Sequence, residues 1–278
     1  MPYLRPLYTR EDAEKATEHF IEKGYNDWFD VTDEVQAMYT DAGHIIGSAA
    51  VHLKIREGGK ETRITFSGDM GRYRDVILKS PENFPQADYI ILESTYGNSL
   101  HDNNLTTPDM VLRWIEKACL QKKGKLIMPA FSVGRTQELL YSLNQLELEN
   151  RLPDLDYYVD SPLSVEATEI VKAHPEYFNK KIQRIMKTDQ DPFSFKGLKY
   201  VKTVEQSKQL NFMNGPLVII SVSVMADAGR VKHHISNNIR SVAFLLRFQQ
   251  QRFCFLVARQ LIGPTIDPPD SFNALGTG

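Results

Sequence analysis

The chain has 278 residues, 42% of them hydrophobic and 24% charged, a soluble globular composition with length for one large domain or two ordinary ones. A formal net charge of -2 excludes a general electrostatic pull toward nucleic acid and leaves any polyanion binding to a local basic patch. Cys119 and Cys254 lie far apart and outside any Cys-x-x-Cys pair, which suits a reducing compartment better than a disulfide scaffold and excludes a cysteine-based zinc site. The start of the chain lacks the apolar stretch of a signal peptide and no run reaches transmembrane length, so a cytoplasmic protein without membrane association is expected.

Thr9, Arg10, Glu11 and Asp12 read as a capping box that opens a helix, with Ala13, Ala16 and Phe20 on one face and Gly24 as its stop. The pattern then changes to short β-prone runs over 35–39, 49–55 and 61–66, separated by glycine-containing turns. Another apolar strand, 88–93, ends on Glu93, and a polar stretch over 98–104 marks a domain boundary. Thr107 followed by Pro108 predicts a helix that Gly124 ends. Strands are predicted over 125–128, 156–159, 198–201 and 217–221, with helices over 132–148, 162–173, 175–187 and 204–210 between them. Strand, helix, strand at this spacing predicts a parallel sheet covered by helices. Residues 241–246 read as one more buried strand, and the sequence after about Pro264 as irregular.

Two glycine-framed segments each end a strand with one metal-ligand type: His44 after Asp41 and Gly43, and Asp69 between Gly68 and Gly71. A short carboxylate on such a turn can reach a metal, and an imidazole there can project into a cleft with Asp41 orienting it. Each also has a plainer reading, His44 as a polar loop residue and Asp69 as a turn residue capping local backbone. Glu93 can orient a histidine or accept a proton, or else cap its own turn. Two ligands do not make a hydrolytic metal centre, and no His-x-His cluster completes them.

The second half offers anion sites instead. Ser132, Gly134 and Arg135 stand where a strand passes into a helix, with Ser132 as cap and Arg135 as a bidentate phosphate clamp. Ser161 stands at a second such junction, and Arg230, Lys232, His233 and His234 fall within about two turns of another helix. These residues predict a basic wall for successive phosphates of a single strand. The alternative is a loose cap with a surface arginine, and one core-facing and one exposed imidazole in the His233–His234 pair.

Taken in order, Asp41-Ala-Gly-His-Ile-Ile-Gly-Ser48, Phe66-Ser-Gly-Asp-Met-Gly-Arg72, Glu93-Ser-Thr-Tyr-Gly97, Pro129-Ala-Phe-Ser-Val-Gly-Arg-Thr-Gln-Glu138 and Tyr158-Val-Asp-Ser-Pro-Leu163 resemble the β-CASP branch of the metallo-β-lactamase-fold RNA-processing nucleases. The resemblance implies an α/β protein with a partial lactamase-like αββα sheet over 1–98, an inserted β-CASP domain over 99–240 and a divergent, irregular tail over 241–278. It implies an RNA-specific metallo-hydrolase with a dinuclear zinc site, cutting internally or from an end. His44 would ligate zinc, Asp69 would bridge the two ions and Glu93 would share the catalysis. Ser132, Gly134, Arg135, Ser161, Arg230, His233 and His234 would position the backbone of single-stranded RNA, in a homodimer or a larger RNA-processing complex.

The family's His-x-His-x-Asp-His segment and its later histidine motifs do not occur in this sequence. The two Zn²⁺ of a complete member are therefore expected to bind weakly or not at all, and activity is expected to be impaired in what reads as a truncated chain. Two other readings stand beside the nuclease: a catalytically inactive fragment that binds RNA or protein, and a small-molecule metallo-hydrolase.

Overall fold

The computed structural model describes residues 7–95, 97–98, 108–222, 229–239 and 245–246. The architecture is mixed α/β in two compact units, one comprising Met1–Tyr73 and Ser80–Thr95 and the other Arg74–Lys79 and Tyr96–Gly278.

In the first unit the capping box forms as predicted: the Thr9 hydroxyl accepts from the Asp12 amide, and the Asp12 carboxylate accepts from the Thr9 amide. Helix α1, Arg10–Thr17, stops well short of the predicted Gly24, and none of its residues is buried. Phe20 lies beyond the helix and is 77% exposed, so the apolar face read from Ala13, Ala16 and Phe20 covers nothing within this unit.

Five strands follow: β1 Phe29–Thr32, β2 Val35–Asp41, β3 Ala49–Glu57, β4 Lys60–Phe66 and β5 Tyr89–Ile91. They form one sheet in sequence order, antiparallel from β1 to β4 and parallel between β4 and β5. Strand β1 was not anticipated: its apolar-polar alternation, Phe29-Asp-Val-Thr32, runs for only four residues, and these are mostly exposed. Gly58 and Gly59, both at positive φ, close the β3–β4 hairpin in the turn geometry that matches strand twist. The sheet buries one polar ladder: His52 lies between the Thr40 and Thr65 hydroxyls, 2.9 Å from each, and burial holds its pKa below the usual histidine value. Strands β2, β4 and β5 all run the same way, so their carboxyl ends, at Asp41, Phe66 and Ile91, meet at one end of the sheet.

In the second unit, helix α2 (Pro108–Ile115) runs on into a π-helical turn, Glu116–Gln121. Then come β6 Lys125–Pro129, α3 Arg135–Leu148, β7 Asp156–Asp160, α4 Pro162–Ala173, α5 Lys180–Ile185, β8 Leu198–Tyr200, α6 Val204–Phe212, β9 Leu217–Ser221, α7 Gly229–Asn238 and β10 Leu245–Leu246. The sheet order is β10-β6-β9-β7-β8, and every pairing is parallel. Near-continuous apolar runs such as Leu217–Ser221 suit strands covered on both faces. Ile127, Tyr158, Val201, Leu210, Leu217, Ile219 and Val231 form one buried cluster between this sheet, α6 and α7.

The predicted 175–187 helix breaks in two, a 3-10 turn at Pro175–Tyr177 and then α5, whose first amides donate to the Asn179 side chain. Asn179 also ties the segment Arg74–Lys79 into this unit, donating from its side chain to the carbonyls of Asp75 and Val76 and from its backbone to Ile77. The Thr107 cap and, apart from 245–246, the 241–278 region lie outside the described residues. Among the described residues no helix is long and apolar enough to cross a membrane.

Candidate functional site

The carboxyl end of the first sheet gathers three loops. After β2, the Asp41 carboxylate accepts from the Gly43 amide at 2.8 Å, and the amides of His44 and Ile45 donate to the Ser48 hydroxyl at 3.0 and 3.3 Å. These bonds close a tight loop with the His44 side chain exposed at its tip. After β4, the Gly71 amide donates to Ala42 O at 2.8 Å, bringing the Asp69 loop onto the His44 loop. A Cβ at Gly71 would sit 1.7 Å from Gly43 O and 2.7 Å from the His44 amide nitrogen, so this approach is open to glycine alone. Asp69 is exposed beside it.

Glu93, after β5, latches the same loop from the other side. Its carboxylate accepts from the Met70 amide at 2.6 Å and from the Thr95 hydroxyl at 2.8 Å, while its own amide donates to the Ser67 hydroxyl. The Met70 and Thr95 hydrogen bonds, with a smaller contribution from His44, hold the Glu93 carboxyl below its ordinary pKa against the opposing effect of burial. That environment makes Glu93 an anchor for the Asp69 loop and a poor proton acceptor.

His44, Asp69 and Glu93 thus come from three loops that meet, but their donor set does not make a metal centre. A catalytic zinc needs three protein ligands and a water, and a dinuclear site needs more. Among the described residues no group of three or more His, Cys, Asp or Glu side chains is placed to hold a metal ion. Glu93 already spends its oxygens on Met70 and Thr95. The expectation of an RNA-cutting dinuclear-zinc hydrolase is therefore overturned for this chain, and the small-molecule metallo-hydrolase, which needs the same centre, loses its support too. Cys119 adds no ligand: it is buried, and burial pushes its thiol up to about 12.

The second unit has its own convergence. Pro129 of β6, Ser221 of β9 and Asp160 of β7 pair in register across three adjacent parallel strands, so their carboxyl ends form one edge. Helix α4 starts one residue beyond it, at Pro162, and α3 starts at Arg135 after a short bend that follows Pro129. At α3 the cap is Gly134, without a side-chain bond, whereas Ser132 was the predicted cap. The Ser132 carbonyl is instead engaged by the Gln137 side chain, and Thr136 bonds back to Phe131 O, folding the predicted first turn into a separate bend. Arg135 reaches Glu138 one turn on, at 2.5 Å, with side-chain exposures of only 14% and 9%. At α4 Ser161 caps the helix through the Ser164 amide and is buried, so its hydroxyl serves the fold.

The predicted basic wall on α7 divides. Lys232 and His233 face outward. Arg230 and His234 turn inward to the buried Asp160: Arg230 donates to Oδ1 at 2.8 Å, His234 Nε2 to Oδ2 at 2.6 Å, and Ser207 to Oδ2 at 2.5 Å. Arg230 also donates to the carbonyls of Val201 and Lys202, and His234 Nδ1 lies 3.0 Å from Asn211 Oδ1. Neither side chain is placed as a phosphate contact, because a buried carboxylate requires such partners. Burial alone would raise the Asp160 carboxyl, but the hydrogen bonds from His234, Ser207 and Arg230 outweigh it and hold the pKa below its ordinary value.

Asp160 is the residue the sequence reading passed over as a hub. The signal was there: Arg230, His234 and Asn238 recur every four residues along α7, a polar stripe beside the buried Val231.

A family model described as the Beta-Casp domain matches residues 136–248. The chain is 32% identical over 249 residues to Ribonuclease TTHA0252 of Thermus thermophilus, covering 88% of this chain and 56% of that protein. It is 31% identical over 229 residues to the Transcription termination factor FttA of Pyrococcus abyssi, covering 81% and 34%, and 28% identical over 235 residues to an RNase J-like protein of Methanocaldococcus jannaschii, covering 84% and 53%. The chain spans about half or less of the length of these relatives.

Proposed function

This chain belongs to the β-CASP family of metallo-β-lactamase-fold nucleases, and we propose that it acts as an RNA-binding module that holds the backbone of a single strand at the carboxyl edge of its second sheet, without cutting it unaided. The observation that carries this reading is the alignment of Pro129, Ser221 and Asp160, from which α3 and α4 rise together. Ligands of open parallel sheets sit beyond the carboxyl ends of the strands, where helix starts favour negative charge. Arg135 at the start of α3 and the outward Lys232 and His233 on α7 are the groups assigned to phosphate. Two of the compared relatives carry ribonuclease names, which supports RNA over other polyanions. In this reading the first unit is part of a lactamase-like αββα sandwich.

The test is fluorescence anisotropy of a labelled single-stranded oligoribonucleotide with the purified chain at several salt concentrations. Binding through about two phosphates gives a slope of log K against log salt of roughly -1.4. The labelled strand is expected to stay intact with Zn²⁺ or Mn²⁺ added. Absence of binding at low salt sinks the reading, and metal-dependent cleavage by the pure chain sinks its second half.

A second reading, protein binding, rests on a different observation. Tyr89, Ile90, Ile91 and Leu92 on and beside the end strand β5 are between 55% and 62% exposed, on both faces of the sheet. Among the described residues no strand pairs with the outer edge of β5. An exposed apolar edge invites strand addition, a second copy of this chain included. Light scattering would then show a dimer that Ile90→Lys returns to monomer; an unchanged mass for both proteins removes this reading.

A further inference from the structure

Arg135 is the cation in the first turn of α3, and it is already engaged. Its guanidinium bonds the Glu138 carboxylate at 2.5 Å, and both side chains are largely buried. A phosphate arriving at this turn must compete with Glu138 for the arginine. We infer that Glu138 is a positioning residue that restrains Arg135 and sets how strongly the chain holds RNA, releasing the arginine when its own carboxyl takes up a proton. The inference rests on the RNA-binding reading above and goes beyond it by assigning a control to the site.

Among the described residues two charged groups face Glu138: Arg135 from its own helix, and Asp75 from the segment 74–79. The Asp75 carboxylate is itself held in place by the amides of Ile77 and Leu78 at 2.8 Å. Burial pushes the Glu138 carboxyl up to about 7, with Arg135 pulling it down and Asp75 pushing it further up. Above that value Glu138 is a carboxylate bound to Arg135; below it the carboxylic acid no longer balances the guanidinium. A phosphate then meets a free positive charge, so RNA binding strengthens as pH falls through neutrality.

Glu138→Gln mimics the protonated state at every pH. Compared by anisotropy with the parent chain, the variant is expected to bind single-stranded RNA about 3- to 10-fold more tightly at pH 8 and about equally at pH 6. Taking the ratio of the two proteins cancels the contribution of titrating histidines such as His233. In an Arg135→Ala background the same substitution is expected to change nothing. A ratio that does not vary with pH, or an effect that survives the loss of Arg135, overturns the inference while leaving RNA binding intact. No binding by the parent at either pH overturns the RNA reading, and this inference with it. Should Glu138→Gln not fold, carboxyl NMR of the parent decides the matter: added RNA raises the Glu138 titration midpoint if the two compete for Arg135, and an unmoved midpoint overturns the inference.

Discussion

Asp160→Asn is expected to destabilise the second unit by about 3–5 kcal/mol, because it removes one partner of a buried charge network and leaves the others behind. The Asp160 side chain is fully buried and holds Arg230, His234 and Ser207 together at distances of 2.5–2.8 Å. The isosteric amide keeps the shape but offers only one acceptor oxygen, so either the Arg230 guanidinium or the His234 ring loses its counterpart. The two tryptophans make this measurable by unit, since Trp28 lies in the first and Trp114 in the second. Denaturant unfolding followed through Trp114 in a Trp28→Phe background should move by the full amount, and Trp28 in the reciprocal background should not. A pH arm checks the cause. A carboxyl held below its ordinary pKa contributes stability that is present above the unfolded value, roughly 3.9, and is lost as pH falls through the folded value. The parent should therefore lose stability in the second unit below about pH 4, and Asp160→Asn should lack that share of the loss. A substitution that shifts the transition by less than about 1 kcal/mol would show that this network is incidental to the fold.

The parts of this molecule that could be read from sequence are those written in local pattern. Four apolar runs with helices between them foretold a parallel sheet, and β6, β7, β8 and β9 occupy nearly those residues. Glycine on either side of His44 and Asp69 foretold two tight loops at strand ends, and the loops meet through Gly71. What local pattern does not contain is the partner across the fold. Arg230 and His234 read as a basic wall until the inward face of α7 meets Asp160, seventy residues earlier in the chain. Arg135 is a separate case: its partner Glu138 stands three residues on in the same helix, and it already holds the guanidinium that an RNA phosphate has to win. Strand β1 and the early end of α1 were missed for other reasons: β1 alternates over only four residues, and α1 buries none of its residues, so packing does not fix where it stops. The metal centre failed on ligand count, since two well-placed side chains cannot supply what at least three must.

Gly71→Ala tests the meeting of the His44 and Asp69 loops most directly. The added methyl would lie 1.7 Å from Gly43 O and 2.1 Å from Gly43 C, and both are backbone atoms that no rotamer change can move aside. To make room, the Asp69 loop must lift off the His44 loop, breaking the bond from the Gly71 amide to Ala42 O and straining the Met70 amide that Glu93 anchors. The expected cost is about 3 kcal/mol in the first unit, the upper end of the usual range for forced overpacking, read through Trp28 in a Trp114→Phe background. Gly24→Ala is the matched control, because a Cβ there meets nothing within 4 Å and the backbone is not in the left-handed region. It should stay within about 0.5 kcal/mol of the parent. The chemical shifts of the His44 ring supply a second readout: they should change in Gly71→Ala and not in Gly24→Ala, since only the first substitution disturbs the peptide that carries His44. Equal stability of the two variants would mean that these loops do not touch in solution, and the juxtaposition of His44, Asp69 and Glu93 would then carry no functional weight.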